Sequence, residues 1–463
     1  MALEEIQKVK IEKLEKLRKA GIDPYPATSR RNMSVAEAVK RFEELAASGE
    51  TVILAGRIMA KREHGGSIFF DIKDADARVQ GFAKEDILGA DKFAQFKELF
   101  DIGDIVEVEG TLFKTKKDER TIEAKNFAML SKALLPLPEK WHGLTDIEER
   151  FRKRYLDLTL NDDVRQIFKT RAVVIRVLRD FLNSRDFLEV STPVLQPLYG
   201  GASARPFKTH MHALDIDLFL RIAPELYLKR LLVGGFEKVY EFTTNFRNEG
   251  MDRDHNPEFF GLEFYAAYKD LDWLMDFTEK LLREAVKAVY PDGNFKHEGQ
   301  AVDFNGPFKR VKFADLMNKP SFAKASEAKE ADEKFKKNIR PTLVQPTFVV
   351  DWPTELLPLA KKTPDDPNFV STFQFFAGGL ELIKAFTELN DPLDQRERFA
   401  AQEQKRAKGD EEAQRMDDDF VEALEYGMPP AAGWGLGLDR FLMLLTDSHS
   451  IREVLLFPTM RPK

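Results

Sequence analysis

Phe246-Arg247-Asn248-Glu249-Gly250 leads through a polar loop carrying Arg253, His255 and Asn256 into Pro257-Glu258-Phe259-Phe260-Gly261-Leu262-Glu263-Phe264-Tyr265. Successive side chains of a strand point to opposite faces, so Phe260, Leu262 and Phe264 fall on one side, a core layer. Phe259, Gly261, Glu263 and Tyr265 fall on the other. An aromatic, a gap and two polar groups in a row suit the floor of a ligand site, although a polar sheet face open to water shares the pattern. Upstream, Leu218, Leu220 and Ile222 alternate as a strand, Pro224 opens a helix, and Gly234-Gly235 closes it. Glu225 then starts that helix, where the dipole favours a carboxylate and by itself accounts for an acid.

Working outward, Val173, Val174, Val177, Leu178, Phe181 and Leu182 form one stripe of a helix that leads into a strand over Phe187–Val190, ending at Pro193. Downstream, Lys384, Phe386 and Glu388 share a face if extended, whereas Glu381 has the opposite parity. Bringing both acids into one site therefore requires a bulge. Gly435-Leu436-Gly437-Leu438-Asp439-Arg440 opens an apolar helix with Arg440 in its first turn. A cation there opposes the dipole, and phosphate contact is the obvious reason for it. Gly433, Gly435 and Gly437 give G-x-G-x-G, not the dinucleotide pattern, and no G-x-x-x-x-G-K-[ST] loop is present, so a nucleotide here meets side chains rather than a glycine cradle. His210 and His212, two apart without H-E-x-x-H, read as ordinary polar residues. Helices and strands alternate without βαβ regularity beyond Leu144, which predicts an α+β fold around an antiparallel sheet.

The N-terminal third differs. Leu3, Ile6, Val9, Leu14 and Leu17 predict a helix over residues 2–20, rich in lysine on its other faces and stopped by Gly21 and Pro24. It reads as a solvated helix or, beside a nucleic-acid domain, as a source of phosphate attraction. Thr51–Met59, Ser67–Lys73, Arg78–Ala83, Asp104–Phe113 and Thr121–Ala128 are strand candidates, with a helical stretch over Lys84–Phe100 after the third. That is the chain order of an OB barrel, a platform for oligonucleotides. Leu135-Pro136-Leu137-Pro138 reads as a linker. Phe69 and Phe70 alternate, so one of them belongs to the core.

The 463 residues hold 71 Lys+Arg against 78 Asp+Glu, net −7, and no Cys. Disulfides, thiolate metal sites and thiol nucleophiles are excluded, and a reducing, cytoplasmic setting is expected. No apolar run approaches the ~18 residues of a membrane span, and the first residues carry no signal-type apolar core. Mild acidity argues against a non-specific DNA coater.

Together these stretches closely resemble the three signature motifs of class II aminoacyl-tRNA synthetases, and in detail those of the lysine-specific members. The resemblance runs from Leu14–Pro26 to Ile451–Lys463 and is most specific at Leu198–Pro206, Arg221–Arg230, Phe246–Phe259 and Pro429–Arg440. It implies a helical segment over 1–50, an OB-fold anticodon-binding domain over 51–132, a linker over 133–146, and a catalytic domain over 147–463 on a mixed, mainly antiparallel sheet. That domain would dimerise through the helix–strand ending at Pro193. The charged stretch Ser321–Lys337 looks like a shortened form of a longer insertion. The implied substrates are ATP with Mg²⁺, L-lysine and tRNA(Lys). By resemblance, Arg247 bridges the amino-acid carboxylate and α-phosphate, Arg440 holds the far phosphates and His255 assists. Phe259 and Arg440 sandwich adenine, with Glu249 and Asn256 nearby. Gly201 and Glu263 take the α-amino group, and Glu225, Tyr265 and Glu388 take the side-chain ammonium. Glu381 binds metal. In the barrel Phe69 and Gln80 match anticodon-stacking and reading positions, with Lys61, Arg62 and Glu119 as further contacts.

Two positions depart from the family pattern. Gln374 stands where a metal-binding Glu is usual, and a neutral amide is a poorer Mg²⁺ ligand. Lys384 stands where an Asn usually meets the amino-acid carboxylate. Three competing functions remain in view. An aspartyl- or asparaginyl-tRNA synthetase is disfavoured by Glu225 and Glu388, because such pockets need a cation or amide facing the ligand. A lysine-activating paralogue acting on a protein would lack the barrel. An inactive tRNA-binding scaffold would not need Arg247, Glu249 and Arg440.

Overall fold

The computed structural model describes residues 3–138, 144, 146–319, 325–410 and 412–462. It divides into two compact units, Met1–Leu144 and Thr145–Lys463. Residues 139–143 and 145 of the expected linker, and 321–324 at the head of the charged stretch, lie outside the described residues.

In the first unit, α1 (Leu3–Lys19) has Glu4 and Glu5 in its first turn and Lys16, Arg18 and Lys19 in its last, complementing the helix dipole at both ends. Leu14 and Leu17 are buried, and Lys10 with them. The strands β1 (Thr51–His64), β2 (Ser67–Lys73), β3 (Arg78–Lys84), β4 (Ile105–Lys114) and β5 (Arg120–Ser131) close into a barrel in the order β1-β2-β3-β5-β4. Period-two alternation sends Val52, Leu54, Ile68, Phe70, Ile72, Val106, Val108 and Ile122 inside. Phe70 is thus the core member of its pair, and Phe69 lies half-exposed on the outer face. Gly81 is fixed by this packing, because a Cβ there would fall 2.3 Å from the Phe70 ring. The single helix expected over Lys84–Phe100 is two pieces, Glu85–Leu88 and α2 (Ala90–Leu99), divided at Gly89 with φ +80°. Only glycine adopts that backbone freely.

The second unit is built on an eight-stranded sheet. Its strands are β6 (Leu188–Glu189), β7 (Lys238–Phe246), β8 (Glu258–Ala267), β9 (Lys309–Lys312), β10 (Thr347–Pro353), β11 (Phe369–Ala377), β12 (Leu380–Thr387) and β13 (Ala431–Gly437). The order is β9-β10-β11-β12-β13-β8-β7-β6, parallel only at the outermost pairs β9–β10 and β6–β7. The α+β class on a mainly antiparallel sheet is therefore observed. The helices α3 (Asp162–Asn183) and α5 (Leu271–Lys287) cover one face; between them in sequence comes α4 (Glu225–Val233), packed elsewhere. Val174, Leu178, Phe181, Leu274 and Leu281 join Leu262, Phe264, Trp434 and Leu436 in one core. Phe264 and Trp434 stack across adjacent strands with centroids 4.7 Å apart. The expected strand Phe187–Val190 shrinks to Leu188–Glu189 at the sheet edge, with the Val190 amide still donating to the Tyr240 carbonyl. The strand expected at Leu218–Ile222 is Ile216–Leu220, in a small three-stranded sheet, so Ile222 lies beyond its end.

The bulge demanded by the parity of Glu381 is present. Phe375 pairs with Ile383 but Phe376 with Glu381, which leaves Leu382 as the extra residue in β12. Ile383 thereby joins the core, while Glu381 and Lys384 turn together to the other face.

Replacing Phe70 by Ala should cost ~3–5 kcal/mol of first-unit stability, since it empties the barrel centre. Phe69→Ala should cost less than about 1.5 kcal/mol, the scale of its single aromatic contact with Phe82. Denaturant unfolding of both variants checks the assignment, and equal losses would contradict it.

Candidate active site

The sheet face opposite α3 and α5, on which α4 packs beside Val239 and Tyr265, is a row of short-range oppositions. Cross-strand register sets Glu241 beside Glu263, Glu263 beside Gly435, Gly435 beside Lys384, and Lys384 beside Gln374. One step along, Tyr265 faces Gly433 and Gly433 faces Phe386. The G-x-G-x-G of the sequence is thus a strand, β13, whose site-facing positions carry no side chain. At Gly433 this is obligatory: a Cβ would lie 1.9 Å from Glu388 Oε1 and 2.6 Å from the Tyr265 ring.

Around that bare strip the predicted residues gather in two groups. Glu225, Glu263, Tyr265 and Glu388 form the first. Glu225 is the first residue of α4, yet it is buried rather than a solvated helix-start acid. Gly201 packs on it so closely that a Cβ would come within 2.9 Å of Glu225 Cβ. The Tyr265 hydroxyl donates to Glu263 Oε2 at 3.3 Å. Glu388, just beyond β12, is held by its amide donating to the Ala431 carbonyl and is 0% exposed. Sequence reasoning missed the group's fifth member, Lys229. Its Nζ lies 2.6 Å from Glu225 Oε1 and also contacts the Glu388 carboxylate. The signal was available: a lysine four residues after Glu225 on the same helix, between the buried Leu226, Leu228 and Leu232.

Burial sets the protonation of this group. It pushes Glu263 up to about 8, with repulsion from Glu225 adding to the effect and Arg247 opposing it. It pushes Glu388 up to about 8 as well, against the pull of Lys229. Glu225 is raised for the same reason. Burial would lower the Lys229 ammonium, but Glu225 and Glu388 outweigh it and hold the proton on nitrogen.

Arg247, His255, Phe259, Glu381, Lys384, Gln374 and Arg440 form the second group. The Arg247 guanidinium lies over the Phe259 ring, 5.0 Å from its centroid, and donates to the Ile222 carbonyl at 3.5 Å. Its Nε is buried with no hydrogen-bond partner among the described residues, a donor poised for a ligand. Arg440, in the first turn of α6 (Leu438–Leu445), donates to the carbonyls of Asp254 and Glu381 at 3.2 and 3.3 Å and lies 2.8 Å from His255 Nε2. His255 Nδ1 is 2.8 Å from the Asp252 carboxylate. Glu381 is pushed up by burial, but Lys384, Arg440, Lys336 and Arg340 together bring it below the ordinary carboxylate value. Lys384 Nζ lies 3.6 Å from Glu381 Oε1. Among the described residues no group of three or more His, Asp or Glu could hold a metal ion. Glu381 with the Gln374 amide oxygen could still share an ion with a ligand's own oxygens. Glu249 is exposed, and the buried Asn256 commits its amide to the Glu258 carbonyl at 2.6 Å. The face is therefore acidic at one end and cationic at the other.

In the barrel, Phe69 lies opposite Arg62 on β1 and Phe82 on β3. Phe82 in turn meets Phe113 edge-on at 6.2 Å, so an outer aromatic strip extends beyond the one residue singled out from sequence. Gln80 accepts from the Thr121 hydroxyl at 3.2 Å and stays half-exposed; Arg62 and Glu119 are exposed. Lys61 is corrected. Its ammonium donates to the carbonyls of Phe96, Lys97 and Phe100 at 3.0, 2.6 and 2.8 Å, closing the C-terminus of α2. Burial lowers its pKa to about 8. It thereby caps the helix.

Residues 146–461 match the family described as tRNA synthetases class II (D, K and N), and residues 52–130 match the OB-fold nucleic acid binding domain. The chain belongs to the class II tRNA synthetases. Among its relatives, the lysine–tRNA ligase of Carboxydothermus hydrogenoformans is 47% identical, over 100% of this chain and 99% of its own. That of Moorella thermoacetica is 46% identical over 99% and 98%, and that of Roseiflexus castenholzii 47% over the full length of both.

The bare strip makes a contrast available. Gly433→Ala should destabilise the protein by ~1–3 kcal/mol, since Glu388 and Tyr265 must move. Gly435→Ala meets nothing closer than Glu263 Cγ at 3.5 Å. It should leave the unfolding midpoint within about 0.5 kcal/mol yet abolish ligand binding, and retained binding would show that no ligand rests on this strand.

Proposed function

We propose that the chain activates L-lysine with ATP and transfers the lysyl group to tRNA(Lys). The observation that carries this reading is the pairing of Glu225 and Glu388 in one buried pocket, in a chain whose full-length relatives are lysine–tRNA ligases. A substrate ammonium finds two carboxylates and the Tyr265 hydroxyl there. An aspartate side chain is repelled, and a neutral one leaves buried charge unmatched. The barrel and its aromatic strip favour tRNA over a protein acceptor.

In the first step a lysine carboxylate oxygen attacks the α-phosphorus of ATP. The bond from that phosphorus to the bridging oxygen breaks, and pyrophosphate leaves with its electron pair. A hydroxyl of the tRNA's terminal adenosine then attacks the carbonyl carbon and displaces AMP. Neither step needs a protein nucleophile; alignment and charge neutralisation suffice. Arg247 lies between the two ends of the site and is assigned the carboxylate and α-phosphate, with Arg440 and His255 on the outer phosphates. Phe259 is assigned as the stacking surface for adenine, on the ring that the Arg247 guanidinium also covers. Mg²⁺ would be held by Glu381, with Gln374 as a weaker ligand, and would neutralise phosphate charge. Lys384 places an ammonium beside the same carboxylate.

A homodimer is part of the proposal. Leu188, Val194, Leu195, Leu214 and Ile216 are exposed apolar side chains from the segment that holds the edge strand β6, the kind of surface a partner covers. A cytoplasmic setting accords with the absence of Cys. No helix among the described residues is long and apolar enough to cross a membrane.

Amino-acid-dependent ATP–pyrophosphate exchange across all twenty amino acids tests the reading: lysine should be the best substrate, and aspartate or asparagine in its place would overturn it. Glu388→Gln should cost ~3–5 kcal/mol in kcat/KM for lysine with little change in KM for ATP. A pH series follows from the carboxyl shifts. Burial raises Glu263 and Glu388 to about 8, whereas an ammonium binds their ionised forms. Lysine KM should therefore fall as pH rises toward 8, by up to ~tenfold per unit for each proton released. A flat profile would show that these carboxyls are already ionised.

A further inference from the structure

Lys229 takes no part in the chemistry above, yet its ammonium sits 0% exposed at the back of the pocket, between Glu225 and Glu388. Its Nζ lies 5.5 and 6.0 Å from the ring centroids of Phe386 and Phe420. Leu226, Leu228 and Leu232 of the same helix are buried in one cluster with Phe399 and Phe420. Swinging the side chain out would unpack that core, so Lys229 is a wall of the pocket and not a gate across it.

Charge counting gives the wall a purpose. Glu225, Glu263 and Glu388 supply three negative charges when ionised, and Lys229 and Arg247 return two, leaving one negative charge. Free lysine, with two ammonium groups and one carboxylate, carries one positive charge. The balance closes only with Lys229 counted. We propose that Lys229 is a specificity-determining positioning residue: a fixed cation that holds Glu225 and Glu388 apart and leaves them one negative charge, matched to a single further ammonium. The proposal rests on the lysine reading of the same pocket.

The groups facing the carboxylate pair are Lys229 on α4 and Glu263 and Tyr265 on β8, with Arg247 and Glu241 one step further. Without Lys229, Glu225 and Glu388 would confront each other with no fixed cation; one would keep its proton, and the substrate ammonium would meet one carboxylate and a neutral carboxyl in place of two carboxylates. Without the Glu388 charge, Lys229 and Glu225 would neutralise each other and leave no net attraction for the substrate. Each loss alone is therefore harmful, and the two together cancel.

The test measures lysine-dependent exchange with the full chain and its variants Lys229→Met, Glu388→Gln and the double variant. Each single change should raise lysine KM by ~10-fold or more while ATP KM stays within about twofold. The double variant should recover at least ~10-fold of the loss seen in Glu388→Gln alone, a reversal of sign that a merely structural lysine cannot produce. Lys229→Met should also steepen the fall of lysine KM with pH, and adding Glu388→Gln should flatten it again. If Lys229→Met does not fold, Glu388→Gln against the double variant decides the matter. A double variant as impaired as the product of its singles, or no better than Glu388→Gln, overturns the proposal. A parent that shows no lysine-dependent exchange overturns the functional reading instead.

Discussion

One strand has to serve two masters, and the second unit is arranged around that constraint. β13 lies between β12 and β8 in the sheet and sends Ala432, Trp434 and Leu436 into the core. Its other face must be bare, because Glu388 and Tyr265 occupy the space where a Cβ of residue 433 would stand. Glycine in a strand interior weakens it, at roughly 0.5–1 kcal/mol per site relative to Ala. The Phe264–Trp434 stack and hydrogen-bonded neighbours on both sides offset that weakness. The strand is thereby strong on the side that folds the protein and empty on the side that works.

The two ends of the floor are charged oppositely, and different physics stabilises each. At the acidic end, burial raises the carboxyls and Lys229 supplies a counter-charge, so repulsion among Glu225, Glu263 and Glu388 is contained. At the cationic end, Arg440 leans on the carbonyls of Asp254 and Glu381, while Arg247 lies on an aromatic face. Both are weaker partners for a guanidinium than a carboxylate or phosphate would be.

Much of this was legible in the sequence because local rules and tertiary structure agreed. The alternation of Phe260, Leu262 and Phe264 fixed a core face, the opposed parity of Glu381 and Glu388 demanded a bulge, and the order of short strands implied a closed barrel. What was not legible depended on contacts distant in sequence. Lys61 looks like a phosphate ligand until α2 brings its last carbonyls to the ammonium, 35 to 39 residues away. Lys229 looks like a helix-stabilising partner of Glu225 until Glu388 arrives from the far side. Glu225 does open its helix, and its burial beneath Gly201 is likewise a contact distant in sequence. The expected helix over Lys84–Phe100 misjudged Gly89, whose positive φ no period can reveal.

The Leu382 bulge has a consequence for length. Glu381 and Glu388 are joined by one strand, so the spacing between the cationic end and the acidic end is set by backbone rise, ~3.3 Å per residue, less the residue lost to the bulge. A strand pinned by neighbours on both sides cannot stretch or shorten, and thus acts as a ruler. Under the proposed function, an amino acid whose carboxylate is seated at one mark reaches the other only with the right number of methylenes. Discrimination by size then comes from the separation of two fixed stations rather than from steric walls around the side chain.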